Sequence, residues 1–117
     1  MDAFSIPDLL SGQDASQVRY LEFLRKDSLS MGIYTLPQGA ADPQQPHAED
    51  EAYYVLGGRA SIHVGGEERA VAPGDLIFVA KDVEHRFHTI TADLSLLVFF
   101  APAHGTPQVS RAALQKT

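Results

Sequence analysis

A chain of 117 residues with 44% hydrophobic content is long enough for one core and too short for two, so a single domain is expected. It contains no cysteine, which excludes disulfides, thiolate metal sites, iron–sulfur clusters and cysteine nucleophiles. A formal charge of −6, without a basic patch, speaks against a nucleic-acid partner, and the longest apolar run (96–102) is far short of the roughly 20 residues a membrane helix needs.

The opening Met1-Asp2-Ala3-Phe4 has neither the basic region nor the apolar stretch of a secretion signal, so a cytoplasmic protein is expected. Residues 1–17 read as an N-terminal arm: Ser5-Ile6-Pro7-Asp8 can start a helical turn, and Ser11-Gly12 would stop it. From residue 18 to 101, short alternating stretches separated by turn residues predict strands over 18–25, 28–36, 51–56, 59–64, 67–72, 76–80, 85–90 and 94–101. Gly57-Gly58, Pro73-Gly74-Asp75, Lys81-Asp82 and Ala92-Asp93 supply the turns, and Gly65-Gly66 has the chemistry of a tight hairpin. A Pro- and Gly-rich loop covers 37–46. The tail, 102–117, is polar and mixed, with at most a turn of helix at 110–115. Many short strands at 8–12-residue spacing in one small domain argue for an all-β jelly roll or barrel.

Two segments combine histidine with features of a metal site. In Gln45-Pro46-His47-Ala48-Glu49-Asp50-Glu51, residues 45 and 47 share a face of an extended chain, and Glu51 can rejoin that face after the intervening turn. In Glu84-His85-Arg86-Phe87-His88, His85 and Phe87 share one face. A jelly roll that folds the segments together would bring Gln45, His47, Glu51 and His85 to one point. Such a set suits one divalent ion of Fe, Mn, Zn, Ni or Co and leaves positions open. Glu49 and Asp50 read as a solvated turn, or as support for the ligands. Tyr53 has the parity of Glu51 and so projects either into the cavity or into the core, while Phe87 walls the pocket. His63, His88 and His104 carry no partner pattern.

The stretch Gly39 to Gly58 resembles the first motif of the cupin superfamily, G-x5-H-x-H-x3,4-E-x6-G, with Gly39, His47, Glu51 and Gly58 in register and Gln45 where the first histidine stands. Residues 74–89 resemble the second motif, G-x5-P-x-G-x2-H-x3-N, through Gly74 and His85, with Ala80, Asp82 and Thr89 replacing its proline, glycine and asparagine. The resemblance spans about residues 28–101 and implies a double-stranded β-helix with a metal near one mouth, between a short N-terminal arm and a C-terminal tail. It also implies a homodimer. Type I phosphomannose isomerases are similar in placing a Gln-x-His pair on zinc, so Gln45 is a candidate ligand, with water or Gln44 as alternatives for that position.

The resemblance implies a metalloprotein acting on a small oxygen-rich molecule. Dioxygenase chemistry, an oxidoreductase activity, is the leading expectation, with Glu51 as ligand and proton acceptor and Tyr53 as substrate donor. A metal-dependent isomerase, epimerase or lyase of sugars or sugar acids is the alternative, and the exchange of histidine for glutamine favours it. A non-catalytic small-molecule binding module is the third.

Overall fold

The computed structural model describes residues 1–16 and 18–106. The expected helical turn at 110–115 lies outside them. The arm forms a full helix, α1 (Ile6–Ser16), rather than a turn stopped at Gly12. Ser5 starts it, accepting the Asp8 amide on its hydroxyl at 3.4 Å. Gln13, 1% exposed, donates to the carbonyls of Arg19 (2.8 Å) and Ile33 (2.9 Å), so a buried side chain pins the helix to the strands beneath. That tertiary anchor overrides the weak helical tendency of Gly12.

The strands are β1 (Tyr20–Lys26), β2 (Leu29–Leu36), β3 (Asp50–Val64), β4 (Glu67–Val71), β5 (Leu76–Val79) and β6 (His85–Ala101). They form one antiparallel system in the order β1-β2-β6-β3-β4, with β5 also paired to β3. Gly65 sits at φ +56° in the expected hairpin between β3 and β4. The Asp75 carboxylate accepts the Ala72 amide at 2.9 Å and closes the turn into β5.

Two expected turns are not turns. Gly57-Gly58 and Ala92-Asp93 lie inside β3 and β6, which pair from Glu51↔Phe100 to Val64↔His85 with register shifts between Val55 and Ser61. Gly58 has φ +92°, and a Cβ there would lie 2.3 Å from the Asp93 carbonyl oxygen. Glycine therefore permits a sharp bend where a side chain would block it. Thirteen residue steps separate Glu51 from Val64, about 43 Å in a straight strand. The bend folds this two-stranded ribbon back on itself and makes the jelly roll, a double-stranded β-helix.

Inward-facing positions alternate along the ribbon. Leu94, Leu96, Val98 and Phe100 on β6 pack with Tyr53, Val55, Ala60 and Ile62 on β3 and with Leu36 on β2, all buried. Among the described residues no helix is long and apolar enough to cross a membrane.

Candidate metal centre

Closure of the ribbon carries the first residues of β3 and β6 to the same mouth. Glu51 (2% exposed) and His85 (4% exposed) point inward there, and His47 approaches from the loop over 37–49. Glu51 Oε1 lies 3.0 Å from His85 Nε2 and 3.9 Å from His47 Nε2. The two imidazole centroids are 5.2 Å apart. Two donors bound about 2.1 Å from one ion lie about 3.0 Å apart at a right angle and about 3.4 Å apart at the tetrahedral angle. The Glu51–His85 separation of 3.0 Å matches the right-angle spacing, and the Glu51–His47 separation of 3.9 Å is about 0.5 Å wider than the tetrahedral one.

The fourth position is taken by Gln44 and not by Gln45. Gln44 Oε1 is 3.3 Å from both His47 Nε2 and His85 Nε2, whereas Gln45 is exposed. The reason lies in Asp42. This nearly buried carboxylate accepts the Gln44 side-chain nitrogen at 2.7 Å, the Tyr34 hydroxyl at 2.8 Å, the Phe87 amide at 2.9 Å and the Gln44 amide at 3.3 Å. A carboxylate can only accept, so the amide nitrogen must face Asp42 and the oxygen must face the histidines. The alternation that puts residues 45 and 47 on one face belongs to a strand, and these residues lie in a loop before β3 where Gln44 is tied to Asp42.

A test for a bound cation is whether these atoms already have partners. Glu51 Oε1 is buried and makes no hydrogen bond, although His85 Nε2 is 3.0 Å away. The two atoms are close but not aligned, as ligands aimed at a shared point would be. His85 Nδ1 lies 3.0 Å from the Val83 carbonyl, which can only accept, so a proton sits on Nδ1 and Nε2 is the nitrogen turned to the site. His47 has its pKa lowered, chiefly by burial, which keeps its ring neutral and ligand-competent. Burial alone would also lower His85, but the Glu51 carboxylate and the Val83 carbonyl outweigh it and raise its pKa. The residues fit a divalent ion held by Gln44, His47, Glu51 and His85, and the donor atoms of the two histidines and Glu51 lie within 4.8 Å of one another.

Tyr53 is fully buried and donates its hydroxyl to Gln44 Oε1 at 3.0 Å. Burial raises its pKa well above the ordinary value, so it acts as a donor and not as a phenolate. Phe87 packs its ring edge-on against Tyr53 at 5.0 Å and lies behind it in the core. The cavity outside the cluster, about 150 Å³, is walled instead by Tyr20, Tyr34, Val98, Phe100 and His104. The Tyr20 hydroxyl is buried there without a hydrogen bond. A Cβ on Gly32 would come within 2.4 Å of its ring, so that glycine makes room for it.

Two of these residues carry no sequence signal as site residues. Asp42 is an acid in a loop, visible only once Tyr34 and Phe87 are seen to surround it. His104 lies past the last strand, where its amide donates to Ser30 Oγ (2.8 Å) and its carbonyl accepts from Arg25 (2.8 Å). Those bonds hook it back over the mouth, its ring stacked on Phe100 at 4.3 Å and edge-on to His47 at 5.0 Å. His63 and His88 sit on the outer side with Glu68 and Glu84.

Comparison with known proteins agrees with this architecture. Residues 32–100 match the cupin domain family. An uncharacterized protein of Streptomyces coelicolor is 45% identical over 102 residues, covering 87% of this chain and 97% of that one. The crystal structure of TT1209 from Thermus thermophilus superposes with a TM-score of 0.72 at 24% identity, covering 88% of this chain and 99% of that one. The DMSP lyase DddQ from Ruegeria pomeroyi superposes with a TM-score of 0.65 at 24% identity over 79% of this chain, which spans 50% of that protein. With the family match running through most of the bent ribbon and both histidine segments, this chain belongs to the cupin family.

Proposed function

We propose that this cupin is a divalent-metal-dependent enzyme that moves a proton on a small oxygen-rich molecule, in an isomerisation, epimerisation or elimination. The observation that carries the proposal is the buried Glu51 Oε1, unbonded amid two imidazoles and an amide oxygen. When bound, the ion would act as a Lewis acid toward substrate oxygens. Glu51 accepts the proton, and Tyr20 donates a hydrogen bond to a substrate oxygen in the cavity. Burial raises the pKa of Tyr20, which keeps that proton in place. The cavity beside the cluster, about 150 Å³ and open at the mouth, suits a small substrate. The neutral amide ligand supports non-oxidative chemistry over redox cycling, and the similarity to a lyase of like fold is in keeping with it.

Dioxygenase chemistry is the second reading, favoured by the grouping of His47, Glu51 and His85, two imidazoles and a carboxylate of the kind that holds non-haem iron. Elemental analysis of protein purified without added metal tests both. Zinc, manganese, nickel or cobalt, with turnover of small hydroxy or keto acids under nitrogen, is the expected result. Iron with substrate-dependent oxygen uptake would favour the dioxygenase, and no metal would leave a binding module. A homodimer in the cytoplasm completes the proposal, and light scattering in solution checks the assembly.

A further inference from the structure

Beside the inner cluster, a second group of donors stands at the barrel mouth. One donor atom each from His47, Glu49 and His104 lies within 4.8 Å of the others. Glu49 is 4% exposed, and among the described residues no hydrogen bond or ion pair reaches its carboxylate, whose oxygens keep a little solvent contact at the mouth. A largely buried carboxylate in that state gains when a cation joins it at the mouth. The His104 ring nitrogens likewise bond to no protein group among the described residues, because the residue is fixed through its backbone to Ser30 and Arg25 and through its face to Phe100. The ring is thus held in place with its edge unoccupied.

We propose that His47, Glu49 and His104 form a second divalent-cation position at the mouth, through which an ion passes on its way to the inner ligands. Two imidazoles and one carboxylate select zinc, cobalt or nickel over magnesium or calcium, and three protein ligands leave an open coordination position. His47 is common to both groups. A neutral imidazole has a single lone pair to give, so His47 serves one position at a time and the two positions alternate. An ion captured at the mouth needs only a change in what His47 holds to move inward. This site does not depend on the reaction proposed above.

Cobalt(II) added to the metal-free protein tests the idea. His85→Ala weakens the inner group and should still retain one cobalt, with an altered visible spectrum. Adding His104→Ala to that variant should lower retention to about a tenth or less. His104→Ala alone should reach wild-type occupancy but load at least about fivefold more slowly. The proposal is overturned if the double variant holds as much cobalt as His85→Ala, or if His104→Ala loads at the wild-type rate. Should His85→Ala fail to fold by circular dichroism, the loading rate of His104→Ala decides alone. If His104→Ala behaves as expected but no substrate turns over with any ion, the enzymatic proposal fails and this site stands. If the wild-type protein takes up no cobalt, both fail.

Discussion

The inner cluster and the outer histidine–carboxylate cluster each draw residues from the two long strands β3 and β6, and they do opposite things. Outside, His63 binds Glu68 at 2.8 Å and Glu84 at 3.1 Å, and His88 binds Glu68 at 2.7 Å and the Thr89 hydroxyl at 2.9 Å. Both nitrogens of both rings are matched, so the outer cluster is complete in itself. Inside, Glu51 keeps a buried oxygen without a hydrogen bond, and the Nε2 atoms of His47 and His85 converge with it on a single amide oxygen, that of Gln44. Histidine content does not mark a metal centre. Unmet bonding capacity at a shared point does.

The difference depends on the bend that makes one cluster interior. Gly58→Ala should therefore have the largest effect, costing about 2–4 kcal/mol from left-handed backbone strain and the clash with Asp93, and dispersing the inner site from a distance. Denaturant unfolding measures it, and a wild-type midpoint would show that the bend does not need glycine. Next, Glu51→Gln should weaken zinc binding at least about 100-fold by removing the sole anionic ligand of the inner set, whereas Glu68→Gln in the outer cluster should leave it unchanged. Competition with a chromophoric chelator reads both, and equal losses would erase the distinction between the clusters. Gln44→Ala should weaken zinc binding about 10–100-fold, and Gln45→Ala should not. If Gln45→Ala is the damaging change, the loop is seated as the family motif implies and not as Asp42 seats it.

The smallest effect belongs to His63→Ala. Its hydrogen bonds to Glu84 and then Glu68 raise the His63 pKa above the ordinary 6.5, so its contribution is full below that value and fades as pH rises through the higher folded value. Hydrogen bonds from His88 and then His63 lower the Glu68 pKa below 4.5, so its share is present above 4.5 and lost on further acidification. Melting points of the variant and the wild type should differ by no more than about 2 °C, most between about pH 5 and 6.5 and least near pH 8. A gap that widens toward high pH would contradict the sign.

Much of this was readable before any coordinates. Alternation marks the strand-forming stretches, Gly65-Gly66 the hairpin, and the spacing of His47 and Glu51 with the isolated His85 points to three residues that the fold brings together. What was hidden is non-local. Whether Gly57-Gly58 ends a strand or bends it depends on Asp93, which lies 35 residues beyond Gly58 in sequence and packs where a side chain would go. Gln44 replaces Gln45 because a carboxylate fixed by Tyr34 and Phe87 turns the loop, and strand parity does not apply to a chain so held. His104 reaches the mouth through bonds to Arg25 and Ser30 at the far end of the sequence. Periodicity sees none of these.

The ribbon joins residues that are neighbours only when it is fully wound, and this determines when the chain can chelate. Glu51 and His85 belong to opposite ends of a hairpin-like pair, so a half-formed barrel offers an ion no pocket. Chelation then rewards only the completed topology: a tight ion slows escape from the native state and does little to guide a nascent chain toward it.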